Sequence, residues 1–200
     1  MDRQSMLSES SLPVALDVRS FIVTDEQFQQ LCQDNEDLRL ELTADGELII
    51  MAPTGGTTGA RNASINHQIT GWAIKDGTGV SFDSSTMFCL PNGAKRSPDA
   101  AWVRRDRWKS LTEEDQESFV PLCPDFVLEL RSKTDSLPVL REKMQEFVAN
   151  GAQLGLLLDP KPKQIYVYRL NQPEERLNNP QTISCDPVLP GFVLDLKDIW

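Results

Sequence analysis

Pro124-Asp125-Phe126-Val127-Leu128-Glu129-Leu130-Arg131 is an apolar run with a carboxylate set inside it. Such a run reads as a strand, whose side chains alternate between two faces. Phe126, Leu128 and Leu130 then share one face, while Asp125, Val127, Glu129 and Arg131 share the other. A carboxylate in a strand interior is costly unless a metal ion or a close positive group compensates it. Asp125 cannot share an ion with Glu129, because four residues of extended strand span ~13 Å. A second carboxylate heads another apolar strand, Ser97-Pro98-Asp99-Ala100-Ala101-Trp102-Val103. Asp99 and Glu129, brought together from adjacent strands, are the lead to function. Two such carboxylates suit a hard divalent cation, with water and phosphate oxygens completing its shell.

Regular elements surround these two strands. Thr24 with Gln27 forms a capping signature that starts a helix ending near Asp34-Asn35. Leu38 to Leu42 alternates as a half-buried strand, and Asp45-Gly46 turns it into a partner at Glu47 to Met51. Residues 53 to 59 read as a glycine-rich loop beside the active cleft. Ile65, Ile69, Trp72 and Ala73 then mark a helix, with His67 off its apolar stripe. Short strands follow at 80–82 and 87–90, and a polar segment runs from the Asp99 strand to Ser118. Beyond Arg131, a capping-rich turn opens a helix with Leu137, Leu140, Met144, Phe147 and Val148 on one face, closed at Asn150-Gly151. Leu154 to Leu158 is a strand buried on both faces, and Ile165 to Tyr168 is the next. The expectation is a flexible N-terminal arm over residues 1–20 and one mixed α/β domain over 21–200.

Bulk properties narrow the class. The chain has 200 residues and a formal net charge of -10. An acidic balance argues against indiscriminate DNA binding, which needs Lys and Arg. The charge is uneven. Residues 1–50 hold eleven Asp/Glu against three Lys/Arg, whereas 95–109 holds Lys95, Arg96, Arg104, Arg105, Arg107 and Lys109 around Asp99 and Asp106. This basic stretch is either a nucleic-acid contact or a solvated charged turn. Four separated cysteines and a single His67 cannot build a zinc site, and the thiols read as reduced. Nothing approaches the ~18 apolar residues of a membrane span, so the expected location is cytoplasmic. There is no G-x-S-x-G, no P-loop lysine and no G-x-G-x-x-G.

A phosphodiester-cleaving centre also needs a positive group near its carboxylates. Arg131 lies two residues past Glu129, on the same face, but a guanidinium stays protonated. At 100° per residue, Lys143 sits at the border of the apolar stripe of its helix, while Glu142 and Glu146 point away. Lys143 is either a cleft lysine or one that snorkels at the core edge. Glu47 and Glu41 are lesser acidic candidates. Asn62 and Asn66 could orient water or phosphate.

Pro98-Asp99 followed by Glu129-Leu130-Arg131 resembles the PD-(D/E)XK nuclease superfamily. The wider string is similar to the Uma-two family of restriction endonucleases within it. The segments that carry the likeness are Asp45-Gly46-Glu47-Leu48 with Met51-Ala52-Pro53, Arg96 to Val103, Pro124 to Ser132, Glu142-Lys143-Met144, Asn150-Gly151, Leu158-Asp159-Pro160 and Leu189-Pro190-Gly191. The resemblance implies a restriction-endonuclease-like fold, a central mixed β-sheet flanked by helices. It implies Asp99 and Glu129 as ligands of Mg2+, with Mn2+ as a substitute, and DNA as the substrate. The superfamily's lysine position is occupied by Arg131, and the family's lysine on the next helix matches Lys143. Asp99, Glu129, Lys143 and Arg131 are thus the implied catalytic set, with Glu47 and Asn62 as secondary candidates. By analogy with nucleases that cut two strands, a homodimer is expected. Two other readings stay open: a catalytically inactive binding module on a nuclease fold, and an acidic protein-interaction partner whose first 50 residues mimic a phosphate backbone.

Overall fold

The hairpin and capping signals near the N-terminus fold as their chemistry dictates. In the computed structural model, which describes residues 14–21, 23–51 and 53–200, Thr24 caps helix α1 (Asp25–Asp34) in a reciprocal box with Gln27. Strand β1 (Val14–Asp17) precedes it. The turn at Asp45-Gly46, with Gly46 at φ 81°, joins β2 (Arg39–Leu42) to β3 (Glu47–Met51). Part of the expected arm is therefore a strand: β1 pairs antiparallel with β3, Val14 opposite Ile50. Residues 1–13 of that arm lie outside the described residues.

Helix α2 (Gly56–Asp76) begins earlier than its apolar stripe suggests. The segment read as a glycine-rich loop supplies its first turns, with Gly55 as N-cap. Propensity is a weak prior, and packing of Ile65, Ile69 and Ala73 against the sheet overrides three glycines. The remaining elements follow in order: β4 (Gly79–Asp83), β5 (Phe88–Cys89), β6 (Lys95–Arg96), β7 (Ala100–Arg104), α3 (Arg105–Lys109), α4 (Glu113–Glu117), β8 (Phe126–Leu130), α5 (Leu137–Ala149), β9 (Leu154–Asp159), β10 (Gln164–Arg169), β11 (Glu175–Asn178), β12 (Thr182–Ser184) and β13 (Val193–Asp195). The polar segment before Ser118 thus contains two short helices. The second has a capping box between Thr112 and Asp115, a pattern visible in the sequence.

The central sheet has the order β11-β10-β9-β8-β7-β4. Strands β8 and β9 run parallel, connected through α5, and all other neighbours in this sheet are antiparallel. A second sheet, β1-β3-β2-β6-β5, carries the hairpin. Alternation along β8 divides the core. Phe126, Leu128 and Leu130 pack with Ile65, Ile69 and Ala73 of α2, and with Leu189, Phe192 and Leu194 from the C-terminal tail. Val127 packs on the other face with Met144 and Phe147 of α5. Glu129 follows Val127 and so faces α5. The chain leaves β6 in the second sheet and enters β7 in the central one through Ser97-Pro98-Asp99. That crossing point is where the two sheets meet.

No helix among the described residues is long and apolar enough to cross a membrane. All four cysteines are free, with Cys123 and Cys185 buried. The tight approach of Gly79 to the Trp102 indole leaves no room for a side chain, since an added Cβ would overlap the ring. Gly79→Ala should therefore cost about 1–3 kcal/mol. The melting temperature, read by circular dichroism, should fall by several degrees, and an unchanged melt would show that the ring moves freely.

Candidate active site

Register brings the two carboxylates together. Ala100 and Ala101 of β7 lie opposite Leu128 and Val127 of β8. The paired register ends there, and Asp99, the next residue back, lies beside β8, close enough for its charge to act on the Glu129 carboxyl. Asp99 is pinned there. Its Oδ2 accepts a hydrogen bond from the Leu130 amide at 2.9 Å, and its Oδ1 accepts from Asn62 Nδ2 at 3.0 Å. Asn66, one turn along α2, donates to the Asp99 carbonyl at 3.0 Å. Because a carboxylate only accepts, the Asn62 amide nitrogen must face it, and Asn62 Oδ1 is turned elsewhere. That oxygen is buried and has no hydrogen-bond partner.

Lys143 reaches this cluster from α5. It is 8% exposed, and its Nζ donates to Glu41 Oε1 at 2.8 Å and lies 2.7 Å from Glu129 Oε1. Glu129 Oε1 thus has the Lys143 ammonium as a close charged partner. Glu129 is 6% exposed and Glu41 2%. Glu41 comes from β2 in the second sheet, and its Oε1 also accepts from the Ser97 amide at 2.9 Å. Its Oε2 meets Arg96 Nη1 at 3.2 Å, and Arg96 Nε donates to Glu146 Oε2 at 2.6 Å. Five charged side chains thus form one alternating chain: Glu146, Arg96, Glu41, Lys143, Glu129.

Negative charge is in excess here. Glu41, Asp99, Glu129 and Glu146 face the buried cations Arg96 and Lys143. With every carboxyl ionised, Arg39, half-buried and close enough to act on Asp99, still leaves one charge over, and a proton on Glu129 removes it. Burial pushes the Glu129 carboxyl up to about 8, and the charges of Asp99 and Glu41 add to this, against the pull of Lys143. Burial also raises Asp99, opposed by the Leu130 amide and Lys143. Glu41 moves the other way. Burial would raise it, but Lys143 and Arg96 together hold it below its ordinary value. Burial opposes the Lys143 ammonium, yet Glu129 and Glu41 overcome that and hold it charged.

Among the described residues, no three His, Cys, Asp or Glu side chains gather as a metal cluster. A cation at this centre would rest on Asp99 and Glu129, a pair of carboxylates of the kind that holds Mg2+ with water. The chemistry of the pair fits that role, since Asp99 is held by the neutral Asn62 and Leu130 donors and Glu129 by the single Lys143 ammonium.

Other sequence candidates lie elsewhere. Arg131 does not join Glu129: its Nη1 donates to Asp159 Oδ2 at 2.6 Å and its Nε to the Asp135 carbonyl at 3.1 Å. The strand ends at Leu130, so the alternation that put both residues on one face stops there. Glu47 is exposed on β3, opposite Asp17. Glu146 does not point away, because Arg96 draws it inward. The basic stretch does not form an open patch around Asp99. Lys95 pairs with Asp25 at 2.7 Å, Arg96 with Glu41 and Glu146, Arg104 with Asp106, and Arg107 with Asp125 at 3.0 Å. Arg105 donates to the carbonyls of Gly77 and Gly79. Glu41, a minor candidate in the sequence, is central here, and Arg96 was seen only as part of a basic run. Period-two alternation turned Glu41 toward solvent, but Leu40, Glu41 and Leu42 are all buried.

A mixed sheet flanked by helices is the restriction-endonuclease-like architecture. Residues 25–197 match the model of the Uma2 family, described as "Putative restriction endonuclease", and the chain belongs to that family. The family supports a nuclease function. Among solved structures, the chain is similar to a putative nuclease belonging to DUF820 from Anabaena variabilis ATCC 29413. The TM-score is 0.67 at 19% identity, covering 80% of this chain and 88% of that one. No curated protein matches.

The Glu129 shift has a signed consequence. Folded protein keeps the Glu129 proton up to about 8, whereas an unfolded chain loses it near 4.5. The stability tied to that proton is complete below the lower value and is lost as pH rises through the upper one. Glu129→Gln, which cannot ionise, escapes this loss. In chelator-treated samples the melting temperature of Glu129→Gln should gain on wild type between pH 5 and 9 by several degrees, on the order of a few kcal/mol. A constant difference across that range would show that Glu129 titrates as an ordinary carboxylate.

Proposed function

We propose that this chain is an Mg2+-dependent endonuclease that hydrolyses DNA phosphodiester bonds, with Asp99 and Glu129 as cation ligands and Lys143 as the positive group beside them. The observation that carries this reading is the convergence of Asp99 and Glu129 where β7 and β8 pair, with Lys143 Nζ 2.7 Å from Glu129 Oε1. When bound, the cation would polarise the phosphodiester and acidify an attacking water. Asp99 keeps a fixed orientation through the Leu130 amide and Asn62. The Lys143 ammonium is placed to steady charge that builds on phosphate oxygens. Cutting both strands would use two such centres, so the active form in this reading is a homodimer.

A second reading has its own support. With most of the 95–109 cations engaged internally, few remain to neutralise phosphates, as fits a nuclease fold that binds a partner without cutting.

Incubation of purified protein with supercoiled plasmid and Mg2+ or Mn2+ separates the two. Wild type should nick or linearise the DNA, chelator should stop it, and Glu129→Ala should slow it by ~100-fold or more. Cleavage by wild type no faster than by Glu129→Ala would remove the endonuclease reading. Sedimentation of the active fraction as a monomer would remove the dimer.

A further inference from the structure

We infer that Glu41, backed by Arg96, is a positioning residue for Lys143 and not a ligand of the cation. This rests on the reading of Asp99 and Glu129 as the ligands. Its basis is how the oxygens are used. A carboxylate has about four acceptor sites. Glu41 Oε1 takes the Ser97 amide and the Lys143 ammonium, and its Oε2 takes Arg96. Glu41 thus has three of its acceptor sites taken, whereas among the described residues Glu129 meets one partner, the Lys143 ammonium at Oε1.

The arrangement also explains how a lysine on a helix can serve a site on a strand. Lys143 has a long stem with many rotamers, and a single ion pair would leave its head loosely placed. Glu41 approaches from the other sheet and meets the ammonium at 2.8 Å. Arg96 then ties Glu41 to Glu146, which lies on the same helix as Lys143 and three residues on. The helix and the second sheet are therefore clamped together beside the lysine head. A cation that engages Glu129 would leave the ammonium still held by Glu41.

The test follows Lys143 and the cation separately, at one fixed pH. In protein labelled with 15N-lysine, one slowly exchanging side-chain ammonium signal should vanish in Lys143→Met and so be assigned. In Glu41→Gln that signal should shift or broaden beyond detection, while calorimetric Mn2+ affinity stays within about threefold of wild type. In Glu129→Gln the signal should persist, while Mn2+ binding weakens by ~10–100-fold or more. If wild type cleaves DNA, Glu41→Gln should lower kcat and leave KM unchanged. Should Glu41→Gln fail to fold, the double variant Glu41→Gln with Arg96→Met removes both charges of that pair, and the same two readouts apply.

Loss of Mn2+ affinity in Glu41→Gln as large as in Glu129→Gln would overturn the inference, because Glu41 would then be a ligand. An unmoved Lys143 signal would overturn it as well. Absence of any Mn2+ binding by wild type would instead sink the ligand reading of Asp99 and Glu129, and the lysine signal alone would still decide the role of Glu41.

Discussion

One ammonium group, that of Lys143, sits between two carboxylates that have almost no access to water. Glu41 belongs to the hairpin sheet, Glu129 to the central sheet, and Lys143 to the helix between β8 and β9. Each of these charges would be costly alone. Removing one member of such a buried set typically destabilises by about 3–5 kcal/mol, because its partners are left uncompensated. The contact therefore holds the two sheets in register with α5 as well as shaping the site. Apolar packing of Met144 and Phe147 brings the helix to the sheet, and the lysine decides where it stops.

The same charges give the centre its chemistry. More acid than base is gathered around Asp99 and Glu129, so the cluster is poised to accept positive charge. Asn62 and the Leu130 amide hold Asp99 without neutralising it, and Glu129 meets the single Lys143 ammonium. Arg131, at the place where a lysine two residues after the acid would stand, is turned to Asp159 and takes no part. The lysine on the helix meets Glu41 of the hairpin sheet as well as Glu129.

The distribution of cations shapes access to the site. Lys95, Arg96, Arg104 and Arg107 look like a basic patch when read in order along the chain. In the folded protein each is matched to an acid, three of them to acids distant in sequence, and Lys95 and Arg96 are buried. With a net charge of -10, this molecule approaches a polyanion with little general attraction.

Local pattern was enough for much of the architecture. The Thr24 box, the Asp45-Gly46 turn, the β8 alternation, the apolar stripe of α5 and the all-buried β9 were all legible, because each depends on residues within one or two turns of one another. Asp99, Glu129 and Lys143 were legible as chemistry for the same reason: a charge inside an apolar strand or at the edge of an apolar stripe is conspicuous. The start of α2 in a glycine run, the pairing of β1, the burial of Glu41 and the diversion of Arg131 to Asp159 were not. Those depend on which face another sheet or helix covers, and alternation within a strand says nothing about what lies above it. The chain alone determined which elements form and which groups carry the chemistry. Tertiary structure decided which charges meet, because an ion pair between Glu41 and Lys143 exists only once two sheets and a helix have closed around it.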